Sequence, residues 1–366
     1  MEIQEHIPLR NLTTLKIGGT ARFFCAVDME QKLKTAFLFA EEKKLPVVVL
    51  GGGSNILFAN GEINALVLKI EITGIEWEDE GGSVLVIVGA GKSWDGLVAE
   101  AIKRGLWGIE NLSGIPGTVG AAPIQNIGAY GAEIRNVLEW VEVFDCNTNY
   151  EQDTKYEKQY ALRRISNAEC AFGYRDSIFK RPEGKGLIIT RVALRLSRNG
   201  APNLGYKDLK QIFNFQFSIF NEEQKKEKIK RLTPLDIRQA VLTIRSKKFP
   251  DLRAHGTAGS FFKNPIVSQE KFDELKKKFP TLPGFELKVN DQELVVKLSL
   301  AWILDNICGL KGFTKGNVAL FERQPIVLVA TEGATAEEIQ EFSAEIAERV
   351  KAKTGIAIAW EVQWIS

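Results

Sequence analysis

The chain has 366 residues, 45% apolar and 26% charged, with a formal net charge of +2. That length calls for two or three cores, and the near-neutral balance offers no electrostatic footprint for nucleic acid or an anionic membrane. Two histidines, His6 and His255, exclude a histidine triad or a multi-histidine metal centre, so no metal is expected; Cys25, Cys146, Cys170 and Cys308, far apart and without CxxC spacing, read as buried thiols. The N-terminus MEIQEHIPLR lacks the apolar core of a signal peptide and no apolar run reaches membrane length, so a cytoplasmic protein is expected.

After an irregular start over residues 11–19, residues 21–27 have strand character. Asp28 with Gln31 makes a capping start for a helix through Lys43, whose Leu33, Phe37 and Ala40 recur at helical spacing. Residues 46–50 form a short buried strand that empties into GGGSN: Gly51, Gly52, Gly53, Ser54 and Asn55. Such a run presents backbone N–H groups and two side-chain donors to a phosphate or pyrophosphate; a sharp turn is the competing reading. Strands over 65–70 and 84–89 follow, with a turn at 80–82. The GKS at residues 91–93 is not a P-loop, because that motif needs glycine where Val86 stands, and no GxGxxG follows a predicted strand.

A helix from Trp94 to Arg104, closed by Gly105, leads into GLWGIENLSGIPGTVGAAPIQNIGAYG, residues 105–131, with seven glycines and two prolines. Leu106, Trp107, Ile109, Leu112, Ile115, Val119, Ile124 and Ile127 alternate with the glycines, which makes the segment ordered and partly buried. It reads as a packed loop or, as its length favours, a cradle for a large planar or phosphorylated ligand.

Residues 139–145 alternate as a strand and residues 156–164 are polar and helix-prone. In FGYRDSIFK, residues 172–180, Arg175 lies among aromatic residues and requires an anion, or forms a structural pair with Asp176. Residues 187–196 alternate as a strand with Arg191 and Arg195 on one side, and a composition shift at Asn199 places a domain boundary near 200–220. Residues 221–231 read as a solvated helix face, and Thr233 with Pro234 opens a helix with Ile237, Val241 and Ile244 inward, ending in a cationic cluster at residues 245–248. GTAGSFFKNP, residues 256–265, sets Ser260 between glycine and phenylalanine. It misses the GxSxG pattern and has no histidine base, so a proton-donating or hydrogen-bonding serine is expected. Helices over 269–278 and 299–308, a strand over 326–330 and a capping-box helix opened by Thr335 and Glu338 follow. The terminal GIAIAWEVQWIS reads as a strand in which Glu361 faces solvent or, among apolar neighbours, holds a proton.

Together GGGSN, IPGTVGAAPIQNIGAYG, FGYRDSIFK, GTAGSFFKNP and the terminal WEV resemble, in order and over nearly the whole chain, the UDP-N-acetylenolpyruvoylglucosamine reductases of peptidoglycan synthesis. The tyrosine and serine around Arg175 are most similar to the enterobacterial form, type I. The resemblance implies an α+β fold, with a two-lobed FAD-binding domain of the vanillyl-alcohol-oxidase (PCMH) type and a separate α+β substrate-binding domain. The lobes would span residues 1–72 and 73–215, the substrate domain 216–350, and a C-terminal strand, 351–366, would carry Glu361 back to the active site. FAD would rest its pyrophosphate on Gly51, Gly52, Gly53, Ser54 and Asn55. Its ring and ribityl chain would lie near Ile115, Pro116 and Gly117, and near Ala122, Pro123, Gln125, Asn126, Gly128 and Ala129. His6 and His255 fall outside that cradle, so the flavin is expected to be noncovalent.

The implied chemistry has two steps: NADPH reduces the flavin, and hydride then passes to the enolpyruvyl double bond of UDP-N-acetylglucosamine enolpyruvate, giving UDP-N-acetylmuramate. Arg175 and a protonated Glu361 would receive the charge developing on the substrate carboxylate, and Ser260 would protonate carbon with help from Lys263 and Asn264. Tyr206, in LGYKDL, and Lys248 match family positions near the UDP pyrophosphate and the substrate. The chain departs from the family at Gln363, where an arginine usually follows EV. A monomer is expected. Two alternatives stand beside this reading: another FAD-dependent oxidoreductase of the same fold acting on a sugar or alcohol, and a catalytically silent nucleotide-sugar binding protein.

Overall fold

The computed structural model describes residues 2–146, 160–289 and 293–366. The chain forms two compact units, the first made of Met1–Ile7, Ala21–Gly52 and Asn64–Arg245, the second of Pro8–Thr20, Gly53–Ile63 and Ser246–Ser366.

The first half of the chain supplies β1 (Gln4–Pro8), β2 (Thr20–Val27), α1 (Glu30–Glu42), β3 (Val47–Leu50), β4 (Ile56–Phe58) and β5 (Glu62–Ile70). Of these, β4 belongs to the second unit, and the others build a sheet in the order β1-β2-β5-β3. Leu33, Ala36 and Ala40 bury one stripe of α1. Its N-cap is Met29, not Asp28, because the Asp28 carboxylate pairs with Lys32 at 2.7 Å and no side-chain cap forms.

Next come β6 (Ile75–Asp79), β7 (Ser83–Gly89), α2 (Trp94–Lys103), β8 (Gly128–Ala129), β9 (Ala132–Glu133), β10 (Leu138–Asp145), β11 (Ala161–Ser166) and β12 (Leu187–Ser197). An antiparallel sheet runs β11-β10-β12-β7-β6. Its central strand β12 buries Val192, Leu194 and Leu196, while Arg191 and Arg195 reach Glu142 and Glu139 on β10. Of the expected polar helix, residues 156–159 lie outside the described residues, and residues 161–164 belong to strand β11. Pairing with β10 overrides local preference there: Arg163 Nε meets Asp145 at 2.8 Å and Arg164 stacks 3.9 Å from the Trp140 ring centroid. The helices α3 (Lys207–Gln216), α4 (Glu222–Lys230) and α5 (Pro234–Lys248) follow, and Leu209, Phe213, Ile237, Val241 and Ile244 pack with Trp107 and Tyr130 into a satellite core.

The second unit holds β13 (Ile266–Ser268), α6 (Gln269–Lys278), β14 (Gly284–Val289), β15 (Glu293–Leu298) and α7 (Leu300–Trp302). It continues through β16 (Thr314–Lys315), β17 (Val318–Leu320), β18 (Leu328–Ala330), α8 (Ala336–Thr354) and β19 (Gln363–Ile365). Its sheets run β13-β15-β14 and β16-β17-β18, and β19 pairs in parallel with β4. Leu57, Phe261, Phe262, Leu304, Val327, Phe342 and Ile346 share its core. The capping box of α8 forms as read, with Glu338 N–H donating to Thr335 Oγ1 at 3.1 Å and Thr335 N–H to Glu338 Oε2 at 2.9 Å.

The helix expected over 299–308 is one α-turn followed by a π-helical stretch, Ile303–Ile307, and the terminal strand is confined to β19. All four cysteines are free; Cys25 and Cys170 are buried, whereas Cys146 and Cys308 are only half-buried. Among the described residues no helix is long and apolar enough to cross a membrane.

Candidate active site

In the first unit, β3 delivers Gly51 and Gly52 onto the loop after α2. A Cβ at Gly51 would stand 2.6 Å from Thr118 Oγ1, and one at Gly52 would stand 2.7 Å from Gly117 Cα. Gly52 therefore needs glycine for close approach of two backbones, and Gly51 makes room for the Thr118 side chain. The facing loop is tied to the start of α2: Trp94 N–H donates to Gly117 O at 3.1 Å, Trp94 Nε1 to Leu112 O at 2.9 Å, and Ser93 bridges Thr118. Ile115, Gly117, Gln125, Gly128 and Ala129 are half-buried and Pro116 is exposed, while Ala122, Pro123 and Asn126 turn inward and support the loop.

Three cradle residues other than glycine occupy the left-handed region: Asn126 at φ 44, Tyr130 at φ 50 and Arg175 at φ 52. Such conformations cost about 1 kcal/mol each and persist where the surroundings enforce them. Here the enforcement is visible. Asn126 Nδ2 donates to Glu133 Oε2 at 2.8 Å and to Gly173 O at 3.1 Å, and the buried Ser177 hydroxyl donates to Ile124 O at 2.6 Å. These bonds fasten the FGYRDS hairpin to PIQN. Gly173 and Asp176 pair across the hairpin, leaving Tyr174 and Arg175 at its tip. The structural alternative for Arg175 is not realised with Asp176, whose carboxylate instead receives Arg181 Nη2 at 2.7 Å and Nε at 3.0 Å. Arg175 lies along the cradle, since a Cβ at Gly128 would come within 3.6 Å of its Nη1. Tyr206, just before α3, stacks edge-on against Tyr130 with centroids 5.1 Å apart.

In the second unit, the segment carrying Ser260 is held on both sides. Ser260 bridges Val327, Phe261 N–H donates to Ile326 O at 2.9 Å, and Phe262 bridges Trp360. Lys263 N–H donates to Ala359 O at 2.9 Å and Glu361 N–H to Phe261 O at 2.8 Å. Ser260 and Glu361, distant in sequence, thus stand on adjacent extended segments, and Phe261 and Phe262 beside the serine are buried in the core of the unit. Gly259, at φ +76, makes the turn into the serine, and its N–H donates to Thr257 Oγ1 at 3.2 Å. The Thr257 hydroxyl in turn donates to Leu328 O at 2.7 Å.

Asn55 joins the same cluster, its Nδ2 donating to Glu361 O at 3.2 Å and its carbonyl accepting from Gln363 N–H at 3.0 Å. Gly53 belongs here too: at φ +61, with a Cβ position only 1.9 Å from Leu12 O, it admits no side chain. Ser54, between them, is half-buried. Asn264 Oδ1 accepts from Leu300 N–H at 2.9 Å, so its carboxamide oxygen is engaged with the start of α7. Lys263 is half-buried, as is Lys248 in the last turn of α5.

Sequence reasoning missed Asp95, Arg238, Glu110 and Thr257. Asp95 and Arg238 form a bidentate ion pair across 143 residues of sequence, at 2.6 and 2.8 Å. Burial would raise the Asp95 pKa, but hydrogen bonds from Arg238 and from the Gly114 amide overcome it and hold the carboxyl below its ordinary 3.8. Burial instead raises the pKa of Glu110, although the Gly108 amide donates to its Oε2 at 2.6 Å. The signal for Asp95 was local, an acid in the first turn of a capped helix; nothing local marked Arg238 as its partner. A cavity of about 660 Å³ lined by Phe37, Val47, Cys146 and Ile188 lies elsewhere in the first unit and contains none of the candidate residues.

The cradle fits a flavin dinucleotide. It offers stretches of glycine and small residues whose backbones are within touching distance of one another, with a guanidinium alongside. A family model described as an FAD binding domain matches residues 21–151, and one described as the UDP-N-acetylenolpyruvoylglucosamine reductase C-terminal domain matches residues 251–365. The UDP-N-acetylenolpyruvoylglucosamine reductase of Chromobacterium violaceum is 36% identical over 359 residues, covering 98% of this chain and 97% of the relative. That of Shewanella sediminis is 39% identical over 363 residues, covering 99% and 96%. The crystal structure of the corresponding reductase from Thermus caldophilus superposes with a TM-score of 0.64 at 25% identity, covering 100% of both chains. The fold is accordingly α+β, an FAD-binding domain followed by a separate C-terminal domain, and the chain belongs to the UDP-N-acetylenolpyruvoylglucosamine reductase family.

Proposed function

We infer that the protein reduces the enolpyruvyl double bond of UDP-N-acetylglucosamine enolpyruvate to UDP-N-acetylmuramate, with NADPH as reductant and FAD as the intermediate carrier. The observation carrying this reading is the backbone pairing that sets Ser260 and Glu361 on adjacent segments of the second unit, in a chain related to these reductases over nearly its full length. Bound FAD would supply hydride acceptance from NADPH and hydride donation to the alkene. The chain's own residues do the rest. Residues 51–55 would hold the FAD pyrophosphate through backbone amides, and Ile115, Gly117, Gln125, Gly128 and Ala129 would border its ring and ribityl chain.

Hydride addition at the terminal alkene carbon pushes an electron pair into the conjugated carboxylate. Arg175, held at a hairpin tip by its strained backbone, and a protonated Glu361 meet that charge by electrostatics and hydrogen bonding. The Ser260 hydroxyl then gives its proton to the substituted carbon, completing addition of H⁻ and H⁺ across the double bond. The turn at Gly259, braced by Thr257, fixes the direction of that hydroxyl. Lys263 and Asn264 flank the serine, and Tyr206 and Lys248 bind the nucleotide-sugar. We extend the reading to a monomeric enzyme of the cytoplasm, the compartment in which NADPH and nucleotide sugars are made.

The test is anaerobic. NADPH should bleach the flavin absorbance of the purified protein, and UDP-N-acetylglucosamine enolpyruvate should restore it. Bleaching without recovery would move the assignment to another oxidoreductase of this fold, and a colourless folded preparation to a binding protein.

A further inference from the structure

The loop expected to border the flavin ring is anchored at both ends to the first turn of α2. At its far end Gly117 O accepts from Trp94 N–H. At its near end Gly114 N–H donates to Asp95 Oδ1 at 2.5 Å. Gly114 itself is left-handed, φ +72, and α5 packs onto it: a Cβ there would stand 2.8 Å from Leu242 Cδ2 and 3.0 Å from Arg245 Nε. Arg238, one turn before Leu242 on the same helix, closes the arrangement by gripping both oxygens of Asp95. The side chains of Arg238 and Asp95 are 15% and 36% exposed, so the pair is partly desolvated, and a bidentate guanidinium–carboxylate contact in that setting fixes orientation as well as charge.

We propose that Asp95 and Arg238 are positioning residues for the flavin, with the ion pair setting the Gly114 peptide and through it the backbone of Ile115–Pro116–Gly117 against the cofactor. An ionised, clamped carboxylate is the acceptor for the Gly114 amide, and one residue beyond that amide begins the stretch that borders the ring. An asparagine at position 95 would turn an N–H₂ group toward Arg238 or toward the Gly114 N–H, and either arrangement sets donor against donor. Loss of Arg238 would leave Asp95 free to rotate off Gly114. In either case the clamp that aims an oxygen of residue 95 at Gly114 is loosened, while Trp94 keeps the other anchor of the loop.

This inference rests on the FAD reading above, and the experiment separates the two. Asp95→Asn, Arg238→Met and Arg238→Lys holoproteins are compared with wild type for FAD dissociation, by fluorescence of released flavin, for the visible flavin spectrum and midpoint potential, and for melting temperature. Asp95→Asn and Arg238→Met are expected to weaken FAD binding by about tenfold or more, and to shift both the absorption band and the potential. Arg238→Lys, which keeps the charge but not the two-pronged contact, should recover only part of both. Should Asp95→Asn not fold, the two arginine variants carry the same readout. Lower melting temperatures with wild-type affinity, spectrum and potential would overturn the proposal, because the pair would then only brace two helices. A wild-type protein that takes up no FAD would sink the underlying reading instead.

Discussion

The glycine cradle of the first unit and the serine cluster of the second achieve precision by opposite means. The cradle is irregular backbone: Asn126, Tyr130 and Arg175 are left-handed, Gly51 and Gly52 sit where no Cβ fits, and side-chain bonds and a partly buried ion pair hold the shape. The serine cluster is extended chain, ordered by backbone bonds from Phe261, Lys263 and Glu361 and backed by two buried phenylalanines. A surface that must touch a large cofactor is made of backbone, and backbone without side chains needs outside enforcement. A surface that must aim one hydroxyl and one carboxyl can be a strand pair, whose geometry is its own enforcement.

Single substitutions can break this contrast. The largest effect is expected at Ser260→Ala, which should lower turnover by about 10²–10⁴-fold while flavin stays bound, read from steady-state rates and the flavin-to-protein ratio. Next is a glycine pair. Gly52→Ala drives a methyl group to 2.7 Å from Gly117 Cα and should lose FAD by about tenfold or more, whereas Gly259→Ala meets nothing within 4 Å and should cost only about 1 kcal/mol of stability. Full flavin content in Gly52→Ala would break the comparison.

Thr257→Val removes the hydroxyl that joins Leu328 O to Gly259 N–H, and about 1–2 kcal/mol should be lost in urea unfolding with FAD affinity unchanged. The smallest effect is a pH dependence. The Asp95 pKa is depressed in the folded state, so its contribution to stability is present above the unfolded value and disappears as pH falls through the folded one. The difference in melting temperature between wild type and Asp95→Asn should therefore be constant near neutrality and shrink below about pH 4. A difference that persists unchanged to pH 3 would remove charge from the account of that pair.

Much of this was legible in the sequence because the chemistry is local. Three consecutive glycines after a strand, Pro and Gly through residues 105–131, the alternation of β12 and the Thr335/Glu338 box of α8 each announce their conformation. What escaped depends on partners distant in the chain. The short strands β4 and β6 and the pairing of β11 exist because a neighbour offers a ladder, and β4 finds its partner in β19 near the other terminus. The excursion of residues 53–63 into the second unit leaves no mark in composition. Arg175 gives no hint of a left-handed backbone, since only glycine and, less strongly, asparagine advertise it. The family motifs placed Ser260 and Glu361 in roles, but only the Phe261 to Glu361 hydrogen bond shows why a terminal segment and an internal one belong together.

Reduction of the flavin and protonation of the substrate are separable steps, and Ser260 serves only the second. Rapid mixing of Ser260→Ala holoprotein under anaerobic conditions tests this most directly, with NADPH-driven bleaching and recovery by UDP-N-acetylglucosamine enolpyruvate timed separately. Bleaching is expected at the wild-type rate, with recovery slowed by about 10²–10⁴-fold. Equal slowing of both phases, or wild-type recovery, would contradict it.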